Sequence, residues 1–213
     1  MCSYKYEKKR NPLENKPCIY PEIYERLHSH FKISKSLPID KKGYCIFHSR
    51  DIEWKYEQEF VSMFHELMKV LLETNGSKAR VTCNFSGFYF CDINKHKIII
   101  DNYAHSDLDF TYCEFINRFG IINSNLSGVD FSHSLFHEAF NLDKVNFVNN
   151  VDFKYSIFNG FEITNCEFKE LSEFSNCTFQ NVSKSVDCKF RLSDSRIEEM
   201  ISFKNSTFDS SVY

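Results

Sequence analysis

Cysteine and histidine are the residues of this chain best suited to chemistry, and the sequence holds nine of the first and eight of the second. A nucleophilic Cys/His pair or a tetrahedral metal centre can be built from such a set. Cys45 and His48 have the two-residue gap of half a zinc site, and Cys18, His28 and His30 carry the ligand types that would complete one. A structural zinc needs four ligands, however, and no paired CxxC accompanies these residues. The expectation is no metal and no other cofactor, with Cys45 buried and His48 hydrogen-bonded. Glycine-rich phosphate loops, GxSxG elbows and HExxH helices do not occur in the sequence. No residue is assigned a catalytic role, and the chain is expected not to be an enzyme.

The elements that position these residues follow from composition and spacing. Of 213 residues, 42% are hydrophobic and 26% charged, a globular balance that excludes disorder, collagen and coiled coil. Phenylalanine is abundant (23) while glycine (6) and proline (4) are scarce, so the chain must turn its corners by some other device. The opening residues are charged and no apolar run approaches the roughly 18 residues of a membrane span. A cytoplasmic protein with no signal peptide and no membrane contact is expected, and in that reducing compartment free cysteines are favoured over disulfides. Residues 1–80 hold 15 Lys+Arg and 11 Asp+Glu (+4), and residues 81–213 hold 11 and 18 (−7), which sum to the net −3. No basic cluster suits direct nucleic-acid binding.

From residue 110 a period appears. Large apolar residues stand at Phe110, Phe115, Ile121, Leu126, Phe131, Phe136, Leu142, Phe147, Phe153, Phe158, Ile163, Phe168, Phe174 and Phe179, in nine steps of five and four of six. Helical spacing of three and four cannot produce this pattern. Two positions before most of these anchors stands a small residue, such as Cys113, Ser134, Val145, Ser156 or Cys177. In an extended segment both members of such a pair lie on one face. Phe119, Phe140 and Phe161 occupy the earlier slot where the anchors are Ile121, Leu142 and Ile163, so large and small exchange places and volume is kept. These three, like Leu126, Phe147 and Phe168, recur every 21 residues, so four anchors make one coil.

The segments VDFSHSLFHE (129–138), SIFNG (156–160) and CEFKE (166–170) resemble the pentapeptide-repeat family. The resemblance implies an all-β solenoid, a right-handed quadrilateral β-helix with anchor and small residue inside. It covers most of 81–213, is most regular over 108–179 and is irregular over 91–107 and around Phe190 in 180–202. On this reading Cys83, Cys113, Cys166, Cys177 and Cys188, each two residues before a Phe, are small core residues rather than reactive thiols.

Stacking every fourth anchor gives outward columns. The residue before the anchor is Asp109, Asp130, Asp152 and Glu173, with Asp194 next if the 21-residue step continues. Two residues after the same anchors come Tyr112, His133, Tyr155 and Asn176. A further column holds Glu114, Leu135, Ile157 and Thr178. Asp before the anchor is the family's habit and suits a hydrogen bond at the turn, yet a wholly acidic column beside aromatics is also an interface signature. The candidate partner-binding residues are therefore Asp109, Asp130, Asp152, Glu173, Tyr112, His133 and Tyr155.

Residues 1–80 form a separate segment. Phe60, Met63, Phe64, Leu67 and Leu71 give 51–74 the spacing of an amphipathic helix, with Lys55, Glu59, Glu66 and Lys69 off the apolar face. A solenoid needs its terminal coils covered, so this helix is expected to cap the first coil. The expected function is a non-enzymatic scaffold binding another protein through its acidic, aromatic face. The resemblance adds that some family members imitate duplex DNA in size and charge and occupy a topoisomerase. The alternative is an adaptor whose residues 1–80, with or without zinc, carry the specific activity. FKNSTFDSSVY still reads as repeat, with Phe203 and Phe208 five apart, so the last coil is expected to be covered, either by a continuation of the chain or, as the resemblance implies, by a second copy in a homodimer through the carboxyl end.

Overall fold

Short strands of two to four residues, in most of which inward and outward side chains alternate, build a parallel β-solenoid in the computed structural model, which describes residues 37–74, 82–94, 97–104, 107–180 and 190–208. The strands stack into four parallel sheets. The first face holds Thr82–Asn84, Asp107–Asp109, Gly128–Asp130, Val151–Asp152, Ser172–Glu173 and Ile201–Ser202. The second holds Tyr89–Phe90, Glu114–Phe115, Leu135–Phe136, Ile157–Phe158, Thr178–Phe179 and Thr207–Phe208. The third runs through Ile98–Asp101, Phe119–Ile122, Phe140–Asp143, Phe161–Thr164 and Phe190–Ser193. The fourth holds Asn125–Leu126, Asn146–Phe147, Glu167–Phe168 and Arg196–Ile197. Four coils are complete, with a partial coil on either side.

Inside, the anchors form continuous stacks. Phe110, Phe131, Phe153 and Phe174 are fully buried, as are Phe147 and Phe168. Along the first column the ring centroids step by 4.9 Å (Phe85 to Phe110), 5.0 Å, 5.2 Å, 4.5 Å and 5.0 Å (Phe174 to Phe203). Phe119, Phe140 and Phe161 cross these stacks edge-on, at 68°, 67° and 89° to Phe110, Phe153 and Phe153. Each such ring pair adds roughly 0.5 to 1.5 kcal/mol beyond area burial.

The missing turn residues are replaced by left-handed non-glycine residues at two of the four corners. Between the first and second faces these are Tyr112, His133, Tyr155, Asn176 and Asn205, in line with Gly87; between the third and fourth they are Asn102, Asn123, Lys144, Asn165 and Asp194. Such a backbone costs roughly 1 to 2 kcal/mol per residue. Hydrogen bonding to the next coil offsets it: the amides of Tyr112, His133, Tyr155 and Asn176 donate to Ser132, Lys154, Ser175 and Lys204 carbonyls at 2.8–3.1 Å.

The small residue that follows most of the left-handed corner positions does more than leave space. Ser134 Oγ accepts the Cys113 amide (3.0 Å) and donates to the Phe110 carbonyl (2.7 Å), and Ser156 repeats this with Ser134 N and Phe131 O. Cys113 and Cys177 thiols donate to the Phe85 and Phe153 carbonyls at 3.2 and 2.9 Å. Burial pushes the thiol pKa of Cys113 up well above its ordinary value, that of Cys166 up to about 11 and that of Cys177 up to about 12. Cys83's side chain and Cys188 lie outside what is described.

Two departures from the 21-residue step fall at one corner, between the second and third faces. Phe158 to Phe161 is three residues, whereas the equivalent Phe179 to Phe190 is eleven, so eight residues are inserted there. Phe190 pairs with Phe161 and Leu192 with Ile163. This corrects the expectation that Phe190 is an anchor: it fills the earlier slot, and Leu192 is the anchor. Phe90 to Ile98 is likewise four residues longer than Phe115 to Phe119.

The chain divides into two compact units, Met1–Val70 and Leu71–Tyr213. In the first, Ile39 bridges Cys45, and Asp40 gathers the Lys42 and Tyr44 amides (2.8 and 2.9 Å) and the Ser49 hydroxyl (2.6 Å). The expected single helix over 51–74 is two: α1 (Ile52–Glu57), capped by Asp51, and α2 (Phe60–Thr74). Glu59 is left-handed (φ 58°), and its amide bonds Tyr56 O three residues back, ending α1. Phe60, Met63, Phe64 and Leu67 are buried as expected, but so is Lys55, whose Nζ lies 4.2 Å from the Phe60 ring centroid and 3.4 Å from Phe47 O.

Candidate functional site

Parallel pairing without stagger sets Asp109 beside Asp130, Asp130 beside Asp152 and Asp152 beside Glu173 on the first face. Each aspartate has a local task. Asp109, Asp130 and Asp152 accept the amides of Thr111, Ser132 and Lys154 at 2.8–2.9 Å, which closes the turn into the left-handed corner; Asn84 does the same for Ser86. Glu173, one methylene longer, takes the Ser175 hydroxyl instead (2.7 Å).

Three residues beyond each aspartate, the corner throws an aromatic side chain outward. The rings of Tyr112 and His133 stack at 4.7 Å and 2°, and those of His133 and Tyr155 at 4.8 Å and 8°. Tyr155 ends the ring stack about half exposed (52%), and Asn176 and Asn205 continue the column. All seven candidate residues thus line one edge of the solenoid.

Asp194 is not on it. The eight-residue insertion moves the frame, so Ser202 pairs with Glu173 and the acidic column stops there. Asp194 is instead a left-handed corner residue between the third and fourth faces.

A cation that the sequence reading passed over lies along the column. Lys154 Nζ sits 2.9 Å from Asp152 Oδ2 and 3.0 Å from Glu173 Oε2, bridging two rungs. The two carboxylates hold its pKa well above the lysine range, and Glu173 is held low by Ser175 first and then by Lys154. Asp130 behaves oppositely. Burial raises its pKa, against the Ser132 hydrogen bonds, and Asp152 and Asp109 add to the rise. The signal in the sequence is the position two after each acid: Thr111, Ser132, Lys154 and Ser175.

On the second face, Glu114, Leu135, Ile157 and Thr178 pair in register and are half-buried, with Glu114 Oε1 3.0 Å from His137 Nε2. Among the described residues no helix is long and apolar enough to cross a membrane.

Fold and edge together define a parallel β-solenoid repeat protein with about 21 residues per coil. Compared with known proteins, the chain matches no family model, and no curated sequence matches it.

Proposed function

We propose that the protein is a non-enzymatic scaffold of the pentapeptide-repeat kind that captures a basic segment of another protein along the Asp109–Asp130–Asp152–Glu173 edge. The Lys154 bridge carries this reading. It supplies, within the molecule, the geometry by which an ammonium group seats between successive rungs. At the Asp109–Asp130 step the residues equivalent to Lys154 are the short Thr111 and Ser132, and no cation bridges the pair among the described residues. A lysine or arginine from a partner fits there, flanked by the Tyr112–His133–Tyr155 rings. Over residues 107–180 there are 11 acids and 4 bases, which attracts such a segment at long range.

The test is capture of partners from the native cytosol by the whole chain and by the Asp109→Lys/Asp130→Lys variant. Loss of the captured protein, with weaker salt dependence in any residual binding, is the expected result. Equal capture by the reversed variant returns the column to its turn-closing role alone.

A second contact is proposed at the other end of the described solenoid, where a second copy of the chain covers the coil over 190–208. Its support is the exposure of Leu192, Ile197 and Phe208 (37–39%), although their neighbours one coil earlier, Ile163, Phe168 and Phe179, are buried.

A further inference from the structure

We propose that the segment captured along this edge is one of mixed charge, with a basic side chain over the Asp109–Asp130 step and an acidic side chain over Lys204. The inference rests on the function proposed above and names the chemistry of the partner.

Charge is not spread evenly along the edge. Each coil contributes one stretch that runs from the first face, round the ring-bearing corner, to the second face. Of the charged stretches, the first two, 107–115 and 128–136, carry Asp107, Asp109, Glu114 and Asp130 and no lysine or arginine. The three that follow, 151–158, 172–179 and 201–208, carry two carboxylates, Asp152 and Glu173, and two lysines, Lys154 and Lys204. The edge thus passes from strongly negative to neutral and ends on a cation.

The two lysines differ in what holds them. Lys154 is engaged within the molecule, 2.9 Å from Asp152 Oδ2 and 3.0 Å from Glu173 Oε2, so a partner's cation brought to that step meets an ammonium already in place. Lys204 has the equivalent position, two residues after Ser202, but the serine gives it no carboxylate on its own rung. It is exposed and makes no ion pair among the described residues. The corner side chains change in the same direction. The rings of Tyr112, His133 and Tyr155 accompany the rungs of Asp109, Asp130 and Asp152, whereas Asn176 and Asn205, whose amides lie 3.4 Å apart, accompany Glu173 and Ser202. Ring faces favour a cation, and amides can donate to a carboxylate.

The separation of the two ends fixes the pattern of the partner. Three steps lead from Asp130 through Asp152 and Glu173 to Ser202, and half a step more reaches the middle of the Asp109–Asp130 pair. At the observed 4.8 Å per step the span is about 17 Å. Residues about eleven apart in an α-helix lie on one face roughly 16 Å from each other. A helical segment with Lys or Arg at one position and Asp or Glu about eleven residues along it therefore satisfies both ends together.

Two helical alanine–glutamine peptides are the probes. Both carry a lysine near one end; about eleven residues along, the first has a glutamate and the second another lysine. Fluorescence polarisation at low ionic strength is expected to show the full chain binding the mixed-charge probe about threefold more tightly or better, although the all-basic probe is drawn more strongly by the net −3 charge. Lys204→Glu is expected to reverse the preference, a charge-swap rescue that a merely structural residue does not give. A preference of the unaltered chain for the all-basic probe, or an unchanged ratio in Lys204→Glu, overturns the inference. The Asp109→Lys/Asp130→Lys variant separates this from failure of the edge itself: it is expected to weaken both probes. If it binds both as the parent does, or if the parent binds neither, the edge and the inference fall together.

Discussion

Asp130 of the candidate edge does two things that pull in opposite directions. Its oxygen closes a turn, for which a neutral amide suffices, as Asn84 demonstrates in the same column. Its charge is a burden: burial and two acidic neighbours raise the Asp130 pKa. A carboxylate whose folded pKa is raised destabilises the fold above that pKa, and the penalty fades as pH falls through it. Asp130→Asn is therefore expected to raise stability at neutral pH, with the gain fading as the pH falls through the raised pKa. Urea titrations of both proteins across pH 4 to 8 check this. The same variant is expected to bind its partner less well, since the burden is then retained for binding. The Ser and Cys residues at the inner corner make a second case. Ser134→Ala leaves Cys113 N and Phe110 O without their partner and costs roughly 1 to 3 kcal/mol. Ser134→Cys is expected to cost less, because cysteine already serves that slot at 113 and 177. Denaturant midpoints of the two variants decide between hydrogen bonding and mere size as the reason these positions are small.

At the scale of elements, the regular coils are legible in the sequence because an anchor every five or six residues is the direct trace of a four-cornered cross-section. The candidate edge is legible for the same reason, since in-register stacking converts a 21-residue step into physical adjacency. What the spacing hides is the size of an interruption. Once the chain leaves Phe179, nothing in the apolar pattern says how many residues pass before it rejoins, so Asp194 falls on a rung that belongs to Ser202. The break at Glu59 is hidden differently. Apolar residues keep helical spacing beyond it, and a single left-handed residue leaves no mark on that spacing. Lys55, polar by type, escapes notice because its interior partners are a carbonyl and a ring face. A prediction belongs here. Since Phe158 and Phe161 are joined by Asn159 and Gly160 alone, replacing residues 180–189 with Asn-Gly is expected to preserve the solenoid. An unchanged β-sheet signal and an unfolding midpoint equal to or above the parent's are the expected result.

For the whole molecule, the coil over 190–208 raises the matter of assembly. Leu192, Ile197, Met200 and Phe208 are all exposed there, and the open edges of sheets pair readily with other chains. If a second copy covers them by a two-fold contact, assembly stops at two subunits. Light scattering over a concentration series is expected to show a dimer that Phe208→Asp and Leu192→Asp convert to monomer; a monomer at all concentrations removes this contact. The unstaggered stacking has another consequence, for which the edge is best regarded as a ruler. Its rings step by 4.7 and 4.8 Å. A bound chain must match that graduation to touch several marks at once. An α-helix laid along it repeats a side chain about every 5.4 Å and drifts by only about 2 Å over three intervals, within the reach of a lysine. An extended strand repeats same-side residues at about 6.7 Å, drifts by about 2 Å at every interval and is more than a whole rung out of step after three. If the edge holds a basic segment as proposed, the spacing of its coils selects among partners of equal charge by the pitch of their backbone.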